Sequence, residues 1–139
     1  MTDDELTGRH ELRVMESRTY LIQARLEWND TGVEVLPGQR YQLNATGRWL
    51  DASISAGPSG YISDRWLFRL AERLRRCPHE NWFALVGVVG HDYKSAFVVG
   101  ERAQVSIRSS GTLSFFANDL PLFYGNNSGA LSLVIMRES

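Results

Sequence analysis

The chain has 139 residues, 43% of them hydrophobic and 22% charged, with a net charge of −1 at neutral pH. That length suits one domain able to bury its own core, and the composition excludes disorder, a collagen-like chain and a coiled coil. The near-zero charge speaks against a dedicated binder of nucleic acid or anionic membranes, and the single Cys77 excludes an internal disulfide or a thiolate metal cluster.

Residues 1–16 read as a polar amino-terminal arm, with Leu12-Arg-Val-Met15 as its one apolar stretch, suited to an edge strand. The first six residues are acidic and polar where a secretory signal would be basic and then apolar, and no stretch approaches the ~20 apolar residues of a membrane span. The expected address is therefore the cytoplasm, without membrane insertion; export by a route that needs no signal is left open.

From residue 17 to 139 the pattern is that of one domain of short strands. Residues 19–26 partly alternate, Asn29-Asp-Thr-Gly32 reads as a turn, and 33–36 as a second short strand. Pro37-Gly38 marks another turn, after which 41–45 alternate strictly, as a half-buried strand does. Further strands are expected at 83–89, 96–99, 103–107, 112–116 and 130–136, the last apolar enough to be central. Many short strands separated by Gly, Asn and Ser turns predict an antiparallel β-sandwich. One segment departs from this. Ile62, Trp66, Leu67, Leu70, Ala71 and Leu74 recur at helical spacing with charges between them, predicting an amphipathic helix over 64–76 with Ser63 as its N-cap. The arginines of its second half suit the negative end of the helix dipole better than a nucleic-acid or lipid phosphate.

The chain offers little to build a catalyst from. His10, His79 and His91 lack metal spacing, and no Gly-x-Ser-x-Gly elbow occurs. Gly57-Pro-Ser-Gly60 and Gly87-Val-Val-Gly90 continue into neither a P-loop nor a dinucleotide fingerprint. No enzyme is expected; an acid–base pair of His79 and Asp119 is the weakest alternative.

Residues 118–129, Asn-Asp-Leu-Pro-Leu-Phe-Tyr-Gly-Asn-Asn-Ser-Gly, hold the richest chemistry. Asp119, Asn126 and Asn127 supply a carboxylate and two amide oxygens, and Pro121, Gly125 and Gly129 let the backbone fold back so that these converge. Ca²⁺ takes such oxygens, about six to eight of them, from carboxylates, amides, main-chain carbonyls and water. The same composition also makes an ordinary turn between strands.

Asn118-Asp-x-Pro-x-x-Tyr-Gly-Asn-Asn-Ser-Gly129, running on into Ala-Leu-Ser-Leu-Val-Ile135, resembles the calcium loop and last strand of the galactose-binding bacterial lectins of the PA-I type. Pro37-Gly38, Ala45-Thr-Gly47 with Trp49, Gly57-Pro58, Ala84-Leu-Val86 and Gly90 follow in that family's order. The resemblance implies a jelly-roll-like β-sandwich, of the galactose-binding-domain kind, holding one Ca²⁺ that sugar hydroxyls help to coordinate. Its implied ligands are the side chains of Asp119, Asn126 and Asn127 and the main-chain carbonyls of Phe123 and Ala56. Asp119, Asn126 and Leu120 would meet the sugar. The chain departs from the family elsewhere. Leu70 and Arg73 fall where family members carry a sugar-contacting histidine and glutamine, Ala56 replaces a tyrosine, Phe123 a threonine and Trp82 a buried cysteine. The resemblance therefore carries the ion further than a galactose preference.

The expected function is a non-enzymatic, calcium-dependent carbohydrate-binding protein, assembled as a homo-oligomer because weak single sites gain avidity when presented together. The alternative is a structural or protein-interaction sandwich that keeps at most a stabilising ion, with the helix at 64–76 covering the sugar pocket.

Overall fold

The computed structural model describes residues 8–139 and shows two packed antiparallel sheets. The first sheet holds β1 (Ser17–Gln23), β9 (Asn127–Arg137), β3 (Arg40–Asp51) and β4 (Ile54–Ala56) in that order. β7 (Arg102–Ser106) pairs with the first half of β3, from Arg40 to Asn44, and β4 with its end, from Trp49 to Asp51. The second sheet runs β2 (Asn29–Val35), β8 (Gly111–Ala117), β5 (Leu85–Val89) and β6 (Asp92–Val98). This is the predicted sandwich.

The core lies between the sheets and follows from alternation along each strand. β3 points Tyr41, Leu43, Ala45 and Trp49 inward, β9 adds Leu131, Leu133 and Ile135, and β8 answers with Leu113, Phe115 and Ala117. Each such large aliphatic or aromatic side chain contributes about 1.5–3 kcal/mol on burial. β5 is buried at all five positions because its outer side is covered too. There Val86, Val88 and Phe116 form a second small cluster under Trp28, Cys77 and Ala96. The segment around Cys77 is thus a lid on the outside of the second sheet, and its position matters for the site.

Several elements differ from expectation. Asn29–Thr31 begin a strand instead of a turn, because their side chains take over the work of backbone groups. Asn29 accepts from the Gln23 N–H and donates to the Gln23 and Phe115 carbonyls, and Thr31 donates to the Leu113 carbonyl. The ladder slips between Asp30 and Glu34, so the pairing looks irregular to any rule based on period two.

The helix is also shorter than predicted. α1 spans Trp66–Ala71 and continues only as a 3-10 turn, Glu72–Leu74. Ser63 does not cap it: its Oγ accepts from the Arg65 N–H in a local turn, and Arg65 is the capping position, with no side-chain cap. Nor is any α1 residue buried. At the other end Arg75 turns extended and its guanidinium donates to the carbonyls of Glu72 and Pro78 while lying over Trp82.

The expected arm falls partly outside the described residues. Its described part is fastened to the sandwich: Leu12 is wholly buried, and the His10 backbone bonds to Gly32 and Glu34. The segment 12–15 forms no strand.

Candidate functional site

The loop leaving β8 begins with an anchor. Asn118 is wholly buried; its side-chain nitrogen donates to the carbonyls of Cys77 (2.9 Å), Glu80 (3.1 Å) and Asn81 (3.0 Å), and its oxygen accepts from the Cys77 N–H at 2.9 Å. Its main chain accepts from Phe83 at 2.7 Å and donates to Ala84 at 3.0 Å. One residue thereby ties the lid to the root of the loop.

Asp119 follows, only 4% exposed. Its Oδ1 accepts from the Leu120 N–H (2.7 Å) and its Oδ2 from the Asn127 side-chain nitrogen (3.1 Å). Pro121 and Leu122 then form a turn closed by Phe123 N–H donating to the Leu120 carbonyl at 3.2 Å. Leu122 takes the left-handed conformation there, φ 73°, where glycine is usual, at a cost of roughly 1–2 kcal/mol. The chain tightens into a 3-10 turn, Tyr124–Asn126, and the buried Tyr124 hydroxyl donates back to the Ala117 carbonyl at 2.6 Å. Gly129, φ 82°, lets β9 pass Trp49 closely: a Cβ there would stand 3.1 Å from the Trp49 Cα. Gly125 has no such constraint.

Asn127 completes the group. Its nitrogen donates to the Ala24 carbonyl (3.2 Å) and to Asp119, while its Oδ1 is buried with no partner. The two acceptors facing the nitrogen fix the amide orientation, so the orphan atom is the carbonyl oxygen. Leaving such an acceptor unpaired costs about 1–3 kcal/mol.

A second carboxylate lies close by. Asp51 ends β3 directly opposite Asn127 in the ladder, is buried, and accepts from the Tyr61 hydroxyl at 2.5 Å. Burial above all, and then the negative charge of Asp51, push the Asp119 carboxyl up to about 6, against partial relief from the Leu120 and Asn127 donors. Burial and the Asp51 contact likewise push the Tyr61 hydroxyl far up, so it stays a donor. Two buried carboxylates and an unpaired amide oxygen lie together here, oxygen donors of the kind a hard cation takes. No cluster of three or more His, Cys, Asp or Glu suited to a metal occurs among the described residues, so an ion here would lean on amide and main-chain oxygens.

Of the residues singled out in the sequence, Asp119 and Asn127 are brought into contact. Asn126 is exposed, with its main-chain carbonyl accepting from the Ala52 N–H at 3.1 Å. Leu120 is half-buried and Phe123 exposed beside them. Ala56 lies in β4, buried, opposite Trp49. Leu70 and Arg73 both stand exposed, Leu70 on α1 and Arg73 in the 3-10 turn. Sequence reasoning misses Asp51 and Tyr61. The available signal is a carboxylate at an inward position of β3, two residues after Trp49 in an otherwise apolar series.

The loop is also braced from the lid by Arg76. Its guanidinium carbon sits 3.6 Å from the Phe116 ring centroid, 4.5 Å from Trp28, 5.3 Å from Tyr124 and 5.6 Å from Tyr93. It donates to the Glu27 carbonyl (2.6 Å) and to the Tyr124 (2.8 Å) and Tyr93 (3.0 Å) hydroxyls, and its main-chain N–H donates to the Asp119 carbonyl at 3.1 Å. Arg76→Ala should destabilise by about 2–4 kcal/mol, combining lost cation–π contacts with an unpaired carbonyl. Arg76→Lys should recover less than half, because it keeps charge without the planar fork. Urea midpoints compared at unchanged slope measure both.

A solved structure described as the EclA N-terminal domain, a PllA-like lectin, is similar over 86% of this chain and 95% of that chain, with a TM-score of 0.67 and 22% identity. The fold is shared with a lectin domain. At that identity the likeness establishes the architecture and leaves the chemistry to the residues. No family model matches the chain. No curated protein matches it either.

Proposed function

We propose that this protein binds carbohydrate without catalysis, through a Ca²⁺ ion held at the 118–129 loop. The observation that carries the reading is the unpaired, buried Asn127 Oδ1 beside the buried carboxylate of Asp119. The lectin fold of the EclA domain supports the same class. Asp119, Asn127, Asn126 and the Phe123 carbonyl would hold the ion. The resemblance adds the main-chain carbonyl of Ala56, and the carboxylate of Asp51, whose residue faces Asn127 in the ladder, is a further oxygen donor for the ion. Bound calcium would supply Lewis-acid coordination for two sugar hydroxyls in place of water. The chain's own part is to hold the oxygens in place through Asn118 and Arg76, and to offer Asp119 and Asn126 as hydrogen-bonding partners and Leu120 and Phe123 as apolar neighbours. Single sites of this kind bind weakly, which fits presentation on a homo-oligomer.

Leu70 and Arg73, which cannot supply the contacts of the histidine and glutamine that the resemblance implies there, favour a second reading in which an ion stabilises the sandwich and no sugar binds. A glycan array run with calcium and with chelator separates the two. On the first reading a subset of glycans gives signal that chelator abolishes. A blank array from protein that calcium still stabilises against heat would support the second.

A further inference from the structure

Ile62, Trp66, Leu67, Leu70 and Leu74 are each 60–78% exposed. Trp66 and Leu70 lie one above the other at i, i+4 on α1 with Leu67 beside them, and Leu74 follows, exposed, in the 3-10 turn, so the segment carries an apolar ridge. The other side of α1 holds it to the body, where Phe68 packs on Trp82 with ring centroids 5.5 Å apart. Arg65 at the capping position, Arg69 on α1 and Arg73 in the 3-10 turn are exposed beside the ridge. Residues 62–76 hold five arginines against Asp64 and Glu72, a net +3 in a chain of net −1. The whole-chain charge hides this local surplus. Arg75 and Arg76 are committed to Trp82 and the aromatic box, and Arg65 lies 5.9 Å from the Phe68 ring centroid while staying exposed, as Arg69 and Arg73 are.

We infer that this ridge docks on an anionic phospholipid surface, with Trp66, Leu67 and Leu70 entering the headgroup boundary and Arg65, Arg69 and Arg73 meeting lipid phosphates. Apolar side chains on one face and arginines beside them are the pattern of a helix lying in a membrane interface. No helix among the described residues is long and apolar enough to cross a membrane, so the contact is peripheral. The ridge protrudes, and a fluid surface can receive it without a complementary groove. A second copy fits less well, since a two-fold contact through this face brings arginine flanks together. The docking needs neither calcium nor sugar, so its test is independent of the proposed function.

The test is co-sedimentation, in chelator, with vesicles of phosphatidylglycerol and phosphatidylcholine in equal parts and with phosphatidylcholine alone. The protein should sediment with the anionic vesicles only. Trp66→Ser with Leu70→Ser should lower that partition at least about tenfold. Arg69→Gln with Arg73→Gln should lower it roughly tenfold as well, and added salt should weaken the wild type. All four positions are exposed, so thermal melts should be nearly unchanged and confirm folded variants. Failure to sediment, or equal binding to both vesicles, overturns the inference. So does a solution dimer that the Trp66→Ser, Leu70→Ser variant splits, which would make the ridge a self-interface.

Discussion

Asn118→Asp should destabilise the fold by about 3 kcal/mol or more, although the two side chains have nearly the same size. The amide donates to three carbonyls of the lid and is wholly buried. Aspartate has no N–H to give, and its charge would face those carbonyl oxygens, so desolvation and repulsion add to the lost bonds. Asn118→Ala loses the bonds without burying a charge and should be milder. Urea denaturation followed by far-ultraviolet circular dichroism checks both, and the order Asp worse than Ala is the informative outcome. If the two variants unfold together near the wild-type midpoint, the amide does not hold the lid to the loop.

Calcium should raise the melting temperature at neutral pH, and Asp119→Asn should abolish that rise. The Asp119 carboxyl is pushed up to about 6 from an ordinary 3.8, so the folded state holds its proton more tightly than the unfolded chain. The stabilisation from that proton is complete below about pH 4 and is lost as pH rises through about 6. At pH 7 the ion-free fold therefore carries a penalty on the order of 3 kcal/mol at this one group. A cation beside the carboxylate removes the penalty, and calcium at a hundredfold excess over its dissociation constant adds about 2.7 kcal/mol of apparent stability. An amide at this position does not titrate, so the stability of the Asp119→Asn variant should lose the slope that Asp119 contributes between pH 4 and 6. The variant also gives up the charge-assisted character of the bond from Asn127, worth about 1 kcal/mol, so slope and calcium response are cleaner readouts than absolute stability. Melts across pH 4–8, with and without calcium, measure all of this.

How much of this is legible in the sequence depends on whether a feature is local. β9 announces itself by its apolar run, and β3 by the alternation of Tyr41, Leu43 and Ala45. Asp119 and Asn127 are legible as a pair because one short loop carries both. The Asn29–Thr31 strand is not, because polar side chains there substitute for ladder bonds in a way that composition reads as a turn. Asp51 and Tyr61 reach the site only through the β3–β9 register and the path of the lid. The Arg76 box draws its four rings from positions 28, 93, 116 and 124, which no periodicity connects. The helical spacing at 62–74 does mark a helix, but its apolar side faces solvent, so the same pattern that usually marks a core here marks a surface.

The most direct measurement is a calorimetric titration of Ca²⁺ at pH 7 and at a pH near 6, in buffers of different ionisation heat, on the wild type and on Asp119→Asn. A calcium site at this loop requires saturable binding by the wild type. Near pH 6 that binding should release a proton from Asp119, and it should be absent from the variant. No saturable heat at either pH, or an unchanged affinity in Asp119→Asn, would contradict it.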